Sequence, residues 1–378
     1  YNQSGGNTGN LDLPGVYTLS AGANPRPYST KVQSRLNSVY AFLNLSYLDY
    51  IFADITYRND WSSTLSPENR RFDYPSFSGS LIVSDMLKKS FNTSLPEFIS
   101  FFKIRGGYAQ AGNTIGPYRL FPSYAISRGF FNAITTSPPN TLVNENILPE
   151  IVKSQEYGVD LRFFKNRIGI DFTYYKKNAY NQILSLPVPP ATGYSTKIVN
   201  AGNVENKGYE FVINANILKS GTGFNWDVML NYNHNTNKVI SLHPETKNYL
   251  LQSDEQSRAL RVTANEGEPY GNMYGRDFAR NAKGEIIVET DGTPRKSENK
   301  NVYLGNYQPK YTMGISNTFT YKALSFGFLI DIRSGGQFYS QTMAYMHAAG
   351  NAAGTLANRE GGLIVDGVRE DGSKNTTA

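Results

Sequence analysis

Hydrophobic and polar residues alternate with a period of two along most of the chain. Within residues 51–58, for example, apolar side chains alternate with polar ones such as Asp54 and Arg58. The same alternation recurs at 157–163, 168–174, 209–217, 226–233 and 324–333, and less regularly at 39–47, 77–83, 102–110 and 311–321. A period of two is typical of β-strands. It predicts ten strands of roughly 10 residues, the length that crosses a bilayer at a tilt of about 45°.

The two faces of these strands differ in chemistry. One face carries only apolar or aromatic side chains, and the other carries Asp, Arg, Asn, Thr and Gly. Aromatic residues lie near the ends of the apolar faces, at Tyr47, Tyr57, Tyr157, Tyr174, Trp226, Tyr232, Tyr311 and Tyr321. This position is typical of the interfacial girdles of outer-membrane barrels. Cross-strand aromatic packing is the alternative interpretation.

Connections between the strands alternate in length. Tight turns are predicted at 48–49, 165–166, 220–223 and 322–323, and long polar loops at 59–75, 112–150, 179–204 and 238–308. Short turns on one side and long extracellular loops on the other are typical of outer-membrane barrels. The connection at 88–99 is longer than the other turns, and we expect a helical turn there. Segments 268–279 and 285–289 form either two more strands or part of a loop, so the count is ten or twelve.

Composition excludes several classes of protein. No stretch of the 378 residues approaches 18 uncharged apolar residues, which excludes transmembrane helices. The absence of cysteine excludes disulfides and thiol catalysis. The net charge is +6, but the basic residues are scattered, which favours solvated loops over a nucleic-acid surface. The N-terminus lacks the features of a signal peptide, so we expect the chain to begin in mid-protein.

Several local motifs occur in a fixed order along the chain. They are NSVY at 37–40, YRNDWSSTL at 57–65, YPSFSGS at 74–80, KIRGGYAQAGN at 103–113 with PY at 117–118, KSQEYGVD at 153–160, NAGNVENKGYE at 200–210, and GEPYG at 267–271 with YG at 274–275. In content, order and spacing these motifs resemble the C-terminal half of the barrel of SusC/RagA-type TonB-dependent outer-membrane transporters. One segment departs from the family, because DGTPRK at 291–296 replaces an acidic Asp/Asn-rich stretch and puts any metal site there in doubt.

The resemblance implies an all-β fold, a transmembrane antiparallel β-barrel that is part of a plugged barrel of about 22 strands with long extracellular loops. Residues 1–378 would form a partial barrel domain, with the plug and first strands before residue 1 and the closing strands after residue 378. It also implies energised import of a glycan or oligopeptide across the cell outer membrane. The implied partners are a SusD-like surface lipoprotein lid, the TonB complex (through the missing N-terminal part) and outer-membrane lipid. Nucleic acid and cofactors are not expected.

Three other classes of function compete with this interpretation. A passive porin-like or structural barrel has the same strands but no energised plug. A soluble β-rich binding module, such as a lectin, would stay in the aqueous phase without detergent. An outer-membrane enzyme is disfavoured because the chain has only 3 histidines, far apart in sequence, and neither a Gly-x-Ser-x-Gly nor a His-Glu-x-x-His motif. We therefore predict no catalytic residue and no metal site.

Candidate substrate-binding residues fall into two groups. The first consists of charged residues on the polar faces of the strands, Asp54, Arg58, Arg162, Asp171 and Arg333. They would guide substrate through the lumen, or alternatively form salt bridges to the plug or to neighbouring strands. The second group consists of loop aromatics, Tyr180 and Tyr194 together with Tyr124, Phe130 and Phe131. Aromatic faces can stack on sugars or hold peptide side chains, although packing within the loops is an equal alternative.

Overall fold

In a computed structural model of the protein, residues 2–7, 25–128, 134–221, 223–253, 260–356 and 359–377 are described. In chain order the strands and helices are β1 (Asn2–Asn7), β2 (Pro25–Thr30), β3 (Leu36–Tyr47), β4 (Ile51–Ser62), β5 (Arg71–Ile82), α1 (Val83–Ser90), β6 (Ile99–Asn113), β7 (Ala125–Arg128), β8 (Ile134–Ser137), β9 (Thr141–Leu142), β10 (Glu150–Phe163), β11 (Ile168–Pro187), β12 (Thr196–Leu218), β13 (Phe224–Ser241), β14 (Asn248–Ser253), β15 (Arg261–Asn265), β16 (Asn272–Gly275), β17 (Val302–Asn306), β18 (Pro309–Tyr321), β19 (Leu324–Gly335) and α2 (Gln341–Ala348). Among these residues, none of the helices is both long and apolar enough to span a bilayer.

Ten strands form one antiparallel meander. Their order is β3, β4, β5, β6, β10, β11, β12, β13, β18 and β19, and the short β9 adds a parallel pairing to the end of β12. This arrangement confirms the predicted antiparallel all-β fold, and the meander contains ten strands rather than twelve. Segment 268–279 lies largely outside the meander, because β14 to β17 form a separate 4-stranded sheet. Residues 285–289 make only isolated bridges.

The short connections are tight turns, as predicted. Leu48 and Asp49 adopt φ values of 52° and 55°, the left-handed conformation that the two central residues of a type I′ turn require. Lys165, Asn166 and Lys322 have positive φ in the equivalent turns. The longer connection between β5 and β6 contains α1, which begins at Val83, where the alternation had predicted the end of a strand.

Two predicted loops are mostly strand. Strands β4 and β5 reduce the predicted loop 59–75 to residues 63–70, and β11 and β12 reduce 179–204 to residues 188–195. Strands β11 and β12 contain 20 and 23 residues, about twice the number that crosses a bilayer, so their ladder continues beyond the membrane. The polar composition of these segments indicated loops, but outside lipid a strand no longer needs an apolar face.

Two extracellular modules pack around this extended hairpin. A mostly loop-built module (residues 63–70, 114–128 and 134–149) has a core of Leu65, Ile115, Leu120 and Ile147, closed by Phe72 of β5 and Ile198 of β12. The 4-stranded sheet packs through Ala264 against Val204 and Val239. Tyr249 of the sheet also contacts a further cluster of Leu186, Val199 and Ala201 on the hairpin. The part of the β11–β12 hairpin that projects beyond the membrane, here called the projecting hairpin, is therefore covered on both of its faces.

The pairing register of the strands places apolar side chains on one face of the meander and polar side chains on the other throughout the membrane region. On the apolar face Tyr157, Tyr174 and Tyr209 lie side by side on three strands, and the same row continues to His234. On the opposite face Asp160 lies beside Asp171. Lipid requires an apolar surface, so the polar face is the lumen face. Val204 and Val239 belong to the lumen face by the same register, which places the 4-stranded sheet over the lumen side of the wall.

Candidate functional site: lumen wall and barrel mouth

An ion pair bridges three strands on the lumen face. Arg105 of β6 donates from Nη2 to Oδ1 of Asp171 at 2.6 Å and from Nη1 to Oδ2 at 2.9 Å. Nη2 also donates to Oγ1 of Thr173 at 2.7 Å. The side chain crosses β10 above Gly158, where an added Cβ would come within 2.5 Å of the guanidinium. The glycine of the KSQEYGVD motif thus leaves the space through which β6 is tied to β11.

A pocket of about 390 Å³ lies beside this ion pair and is lined by Arg105 and Thr173. Its charged lining residues carry both signs: Asp54, Lys103, Arg105, Glu156 and Glu210. Fixed charges of both signs along a hydrated wall provide hydrogen-bonding positions for a polar solute without favouring one net charge. The arrangement suits passage of a polar molecule. Among the described residues, no cluster of three or more metal-ligating side chains occurs.

The other predicted lumen residues bind neighbouring side chains rather than each other. Asp54 accepts hydrogen bonds from Asn44 Nδ2 at 2.5 Å and from Ser78 Oγ at 3.3 Å. Arg58 forms an ion pair with Asp60, at 2.7 Å between Nε and Oδ1.

The remaining two predicted lumen residues are Arg162 of β10 and Arg333 of β19. Arg162 lies 3.1 Å from Asp160 and over the ring of Phe101. Arg333 faces Thr312 in register. The side chains are distributed along the wall, and four of the five predicted residues take part in the interstrand or same-strand contacts of the alternative interpretation.

The predicted loop tyrosines differ in their outcome. The loop position predicted for Tyr180 is wrong: this residue lies in β11, because the strand continues beyond the membrane. It lies on the outward side with Tyr174, and the Nζ atom of Lys153 is 5.6 Å from its ring centre. Tyr194 lies in the 188–195 connection, and Tyr124 precedes β7. Phe130 and Phe131 lie outside the described residues.

A second pocket, of about 700 Å³, lies at the mouth between the 4-stranded sheet and the segment that follows β19. Its lining combines aromatic rings with amide side chains: Tyr270, Tyr307, Phe338 and Tyr339 with Gln252, Gln337 and Gln341, completed by Leu251, Ser253, Leu260, Val262 and Met273. Pockets of this size and mixed chemistry are typical of small-molecule sites. Aromatic faces can pack on a ligand while amides donate and accept hydrogen bonds.

The GEPYG motif builds one wall of this mouth pocket. Gly271 has a φ of +87°, and a Cβ there would overlap the ring of Tyr307, so only glycine allows both the turn and the ring position. Opposite, the chain leaves β19 and the backbone N–H of Gln337 donates to the carbonyl of Asn306 at 2.9 Å. This hydrogen bond brings Gln337 and its neighbours to the rim.

The carboxylate of the same motif anchors the wall from below. Glu268 accepts hydrogen bonds from Tyr274 Oη at 2.5 Å, Asn265 Nδ2 at 2.8 Å and Asn272 Nδ2 at 3.0 Å. The bond from Tyr274 is the main cause that holds the pKa of Glu268 below its usual value, while partial burial acts in the opposite direction. Next to it, the N–H of Tyr270 donates to Asn237 Oδ1 at 2.7 Å and ties the pocket to β13.

Sequence reasoning missed the two central features of this pathway. The sequence did contain a signal for Arg105, because it lies two residues from both Lys103 and Gly107 and so shares with them the predicted polar face of the strand. The mouth pocket carried none, since its tyrosines come from segments that are far apart in the chain. Gly335 is the last residue of β19, and Gly336 follows it directly. Both have positive φ and mark the point where the chain leaves β19 towards the pocket.

Comparison with known proteins gives a consistent result. A family model described as "TonB dependent receptor-like, beta-barrel" matches residues 1–367. TonB-dependent receptor P3 of Formosa agariphila is 26% identical over 364 residues, which cover 88% of this chain and 35% of the relative. TonB-dependent receptor SusC of Bacteroides thetaiotaomicron is 26% identical over 322 residues, covering 80% of this chain and 31% of the relative.

Solved structures agree on the fold. The structure of the RagAB peptide transporter superposes with a TM-score of 0.67 at 19% identity, covering 84% of this chain and 35% of that chain. The RagAB peptide importer in its "open-open" state gives a TM-score of 0.68 at 18% identity, covering 86% of this chain and 35% of that chain. This chain spans about a third of the length of these proteins.

The chain belongs to the TonB-dependent receptor-like β-barrel family. The resemblance to SusC/RagA-type proteins is confirmed by the SusC relative and the RagAB superposition. The described sheet is part of a barrel of this type, and the family places it in the outer membrane. The relatives named above are receptors and transporters, not enzymes.

Proposed function

We propose that the full-length protein imports an oligomeric nutrient, a glycan or an oligopeptide, by TonB-dependent transport. The observation that carries the proposal is the mouth pocket of about 700 Å³, which lies over the lumen side of a wall whose own pocket is charged. Substrate would first bind among the tyrosines and glutamines and then pass along the lumen face. The RagAB superposition supports this direction, because that protein is described as a peptide importer.

The predicted lumen residues enter this proposal as the path rather than as one site. Asp54, Arg58, Arg162, Asp171 and Arg333 would hydrate the wall, while the pocket at Tyr270 and Tyr307 selects the substrate. Tyr194 lies at the tip of the projecting hairpin, where it could contact substrate or a lid. Tyr180, on the outward side, is less suited to substrate.

A SusD-like surface lipoprotein is the proposed lid of the mouth. The RagAB importer has been described in "open-open" and "closed-closed" states, which supports a moving partner over such a barrel. A photo-crosslinking residue in place of Phe121, which is 66% exposed in the loop-built module, would test it. The expected product is a crosslink to a lipoprotein of SusD-like sequence. Its absence, together with a barrel that purifies alone under mild conditions, would contradict the partnership.

Uptake of labelled oligosaccharides and oligopeptides by cells that carry or lack the full-length gene tests the function itself. We expect one class of oligomer to enter only when both this protein and TonB are active. Tyr307→Ala should reduce that uptake. Tyr303→Ala is the matched control, because this exposed tyrosine of β17, four residues before Tyr307, does not line the pocket. Uptake that persists without TonB would favour the passive porin-like alternative.

A further inference from the structure

Above the apolar stripe, the outward face of β10 to β13 changes from aromatic to basic, within two residues on β11 and β12 and within four residues on β10 and β13. Tyr157, Tyr174 and Tyr209 close the stripe on three neighbouring strands. On β11 and β12 the next outward residues are Lys176 and Lys207, which lie directly opposite each other in register. The aromatic row marks the membrane interface, so these ammonium groups lie where lipid headgroups begin.

The following outward row adds two more lysines. Lys153 lies beside Asn178, Asn178 beside Glu205, and Glu205 beside Lys238, across four strands. Glu205 is the one acidic residue within these two rows, and it lies 2.8 Å from Lys176 and 3.9 Å from Lys207. Its single charge leaves the four lysines with an excess of positive charge. The cluster spans three strand spacings, or about 14 Å.

An apolar groove of about 500 Å³ lies immediately below this lysine cluster. It is lined by Tyr209, Phe211, Ile213, Leu230 and Tyr232, all on the outward face of β12 and β13. Lys207 is two residues from Tyr209 on the same strand, about 7 Å along it. A shallow apolar groove that lies under several cations matches a molecule with an acyl chain and an anionic head. It does not match a free anion, which needs no groove.

We propose that this face is a binding site for a phosphorylated lipid of the outer leaflet. The acyl chain lies in the groove between Tyr209 and Leu230, and the phosphate lies among Lys176, Lys207 and Lys238. Side chains of Lys176 and Lys207 are 44% and 55% exposed, so both can reach a headgroup without rearrangement of the strands. The site faces away from the lumen and is independent of the proposed transport pathway. Bound lipid would hold the wall at a fixed depth in the membrane.

Native mass spectrometry of the delipidated full-length protein in a neutral detergent tests the proposal. The probes are phosphorylated lipid A, the same lipid after enzymatic removal of its phosphate, and inorganic phosphate alone. The test variant combines Lys176→Gln, Lys207→Gln and Lys238→Gln. The matched control is Lys177→Gln, because Lys177 neighbours Lys176 on β11 but faces the lumen and pairs with Glu156. Heat-modifiable mobility on gels confirms that each variant is folded.

Phosphorylated lipid A should bind most tightly to the wild type and to the control. Each cation near an anionic headgroup contributes about fivefold in affinity, so the triple variant should bind on the order of 100-fold more weakly. If the triple variant does not fold, Lys207→Gln alone should show the single step. Equal binding of the dephosphorylated lipid, inhibition by inorganic phosphate at comparable concentration, or an equal loss in Lys177→Gln would overturn the proposal.

Discussion

The loop-built module depends on one side chain whose contribution can be estimated. Ile147 is 0% exposed and packs with Leu65, Phe72, Leu120 and Ile198, residues from three separate segments. Ile147→Ala would remove this contact and leave a cavity, at a cost of about 3 kcal/mol. The module lies above the membrane, and the strand residues in contact with its core (Phe72, Tyr74, Ile183 and Ile198) come from the parts of β5, β11 and β12 that were predicted as loops. We therefore expect the cost to appear as local opening rather than as unfolding of the barrel.

Amide hydrogen exchange of the full-length protein in micelles measures that opening. About 3 kcal/mol corresponds to exchange on the order of 100-fold faster in residues 114–149. The N–H of Leu148, which donates to Asn200 Oδ1 at 2.7 Å, is a direct reporter. Ile134→Ala is the matched control, since Ile134 belongs to the same stretch and is 72% exposed. Unchanged exchange in Ile147→Ala, or equal acceleration in the spanning strands, would refute the reasoning.

Three further substitutions have matched controls or a pH signature. Gly271→Ala should lower both thermal stability and substrate binding. The control Gly267→Ala, with φ of +88° and nothing within 4 Å of its Cβ, should cost only the backbone strain of about 1 kcal/mol. Thermal melting temperatures and substrate uptake distinguish the two variants. Glu268→Gln should destabilise by about 1–2 kcal/mol at neutral pH. Because folding lowers the pKa of this carboxyl, the difference from wild type should close as the pH falls below about 4 in denaturant melts. Gly158→Ala should destabilise the barrel by about 1–3 kcal/mol, because the new methyl group displaces the Arg105 guanidinium. The control Gly169→Ala should not destabilise it, since nothing lies within 4 Å of a Cβ at that position. Equal urea midpoints of unfolding for the two variants would contradict this reasoning.

The membrane region could be predicted from the sequence because lipid imposes a simple rule on it. Every outward residue must be apolar and every second residue faces outward, so Tyr157, Val159 and Leu161 define a strand by themselves. Above the membrane the rule no longer applies. There Tyr180 and the segments near it are polar and yet remain in the ladder. For that reason the loops 59–75 and 179–204 were predicted too long.

The candidate site was less predictable for a different reason. Charged lumen residues such as Asp171 follow from the alternation, but their partners depend on register, which the sequence does not state. The ion pair with Arg105 requires two strand pairings and a glycine between them. The mouth pocket requires Tyr270, Tyr307 and Tyr339 to meet through the paths of three connections. No periodicity in the chain encodes that meeting.

The projecting hairpin of β11 and β12 restricts how this barrel can evolve. Above the membrane Ile183 packs towards the loop-built module, while Leu184, the next residue, packs on the opposite side with Tyr249. Deleting one residue between the membrane and the tip would exchange these two faces and separate both modules from the wall at once. Insertions and deletions can therefore be accommodated only at residues 188–195 or in the modules themselves. Related barrels would diversify their recognition surfaces by changing the modules while keeping the hairpin at constant length.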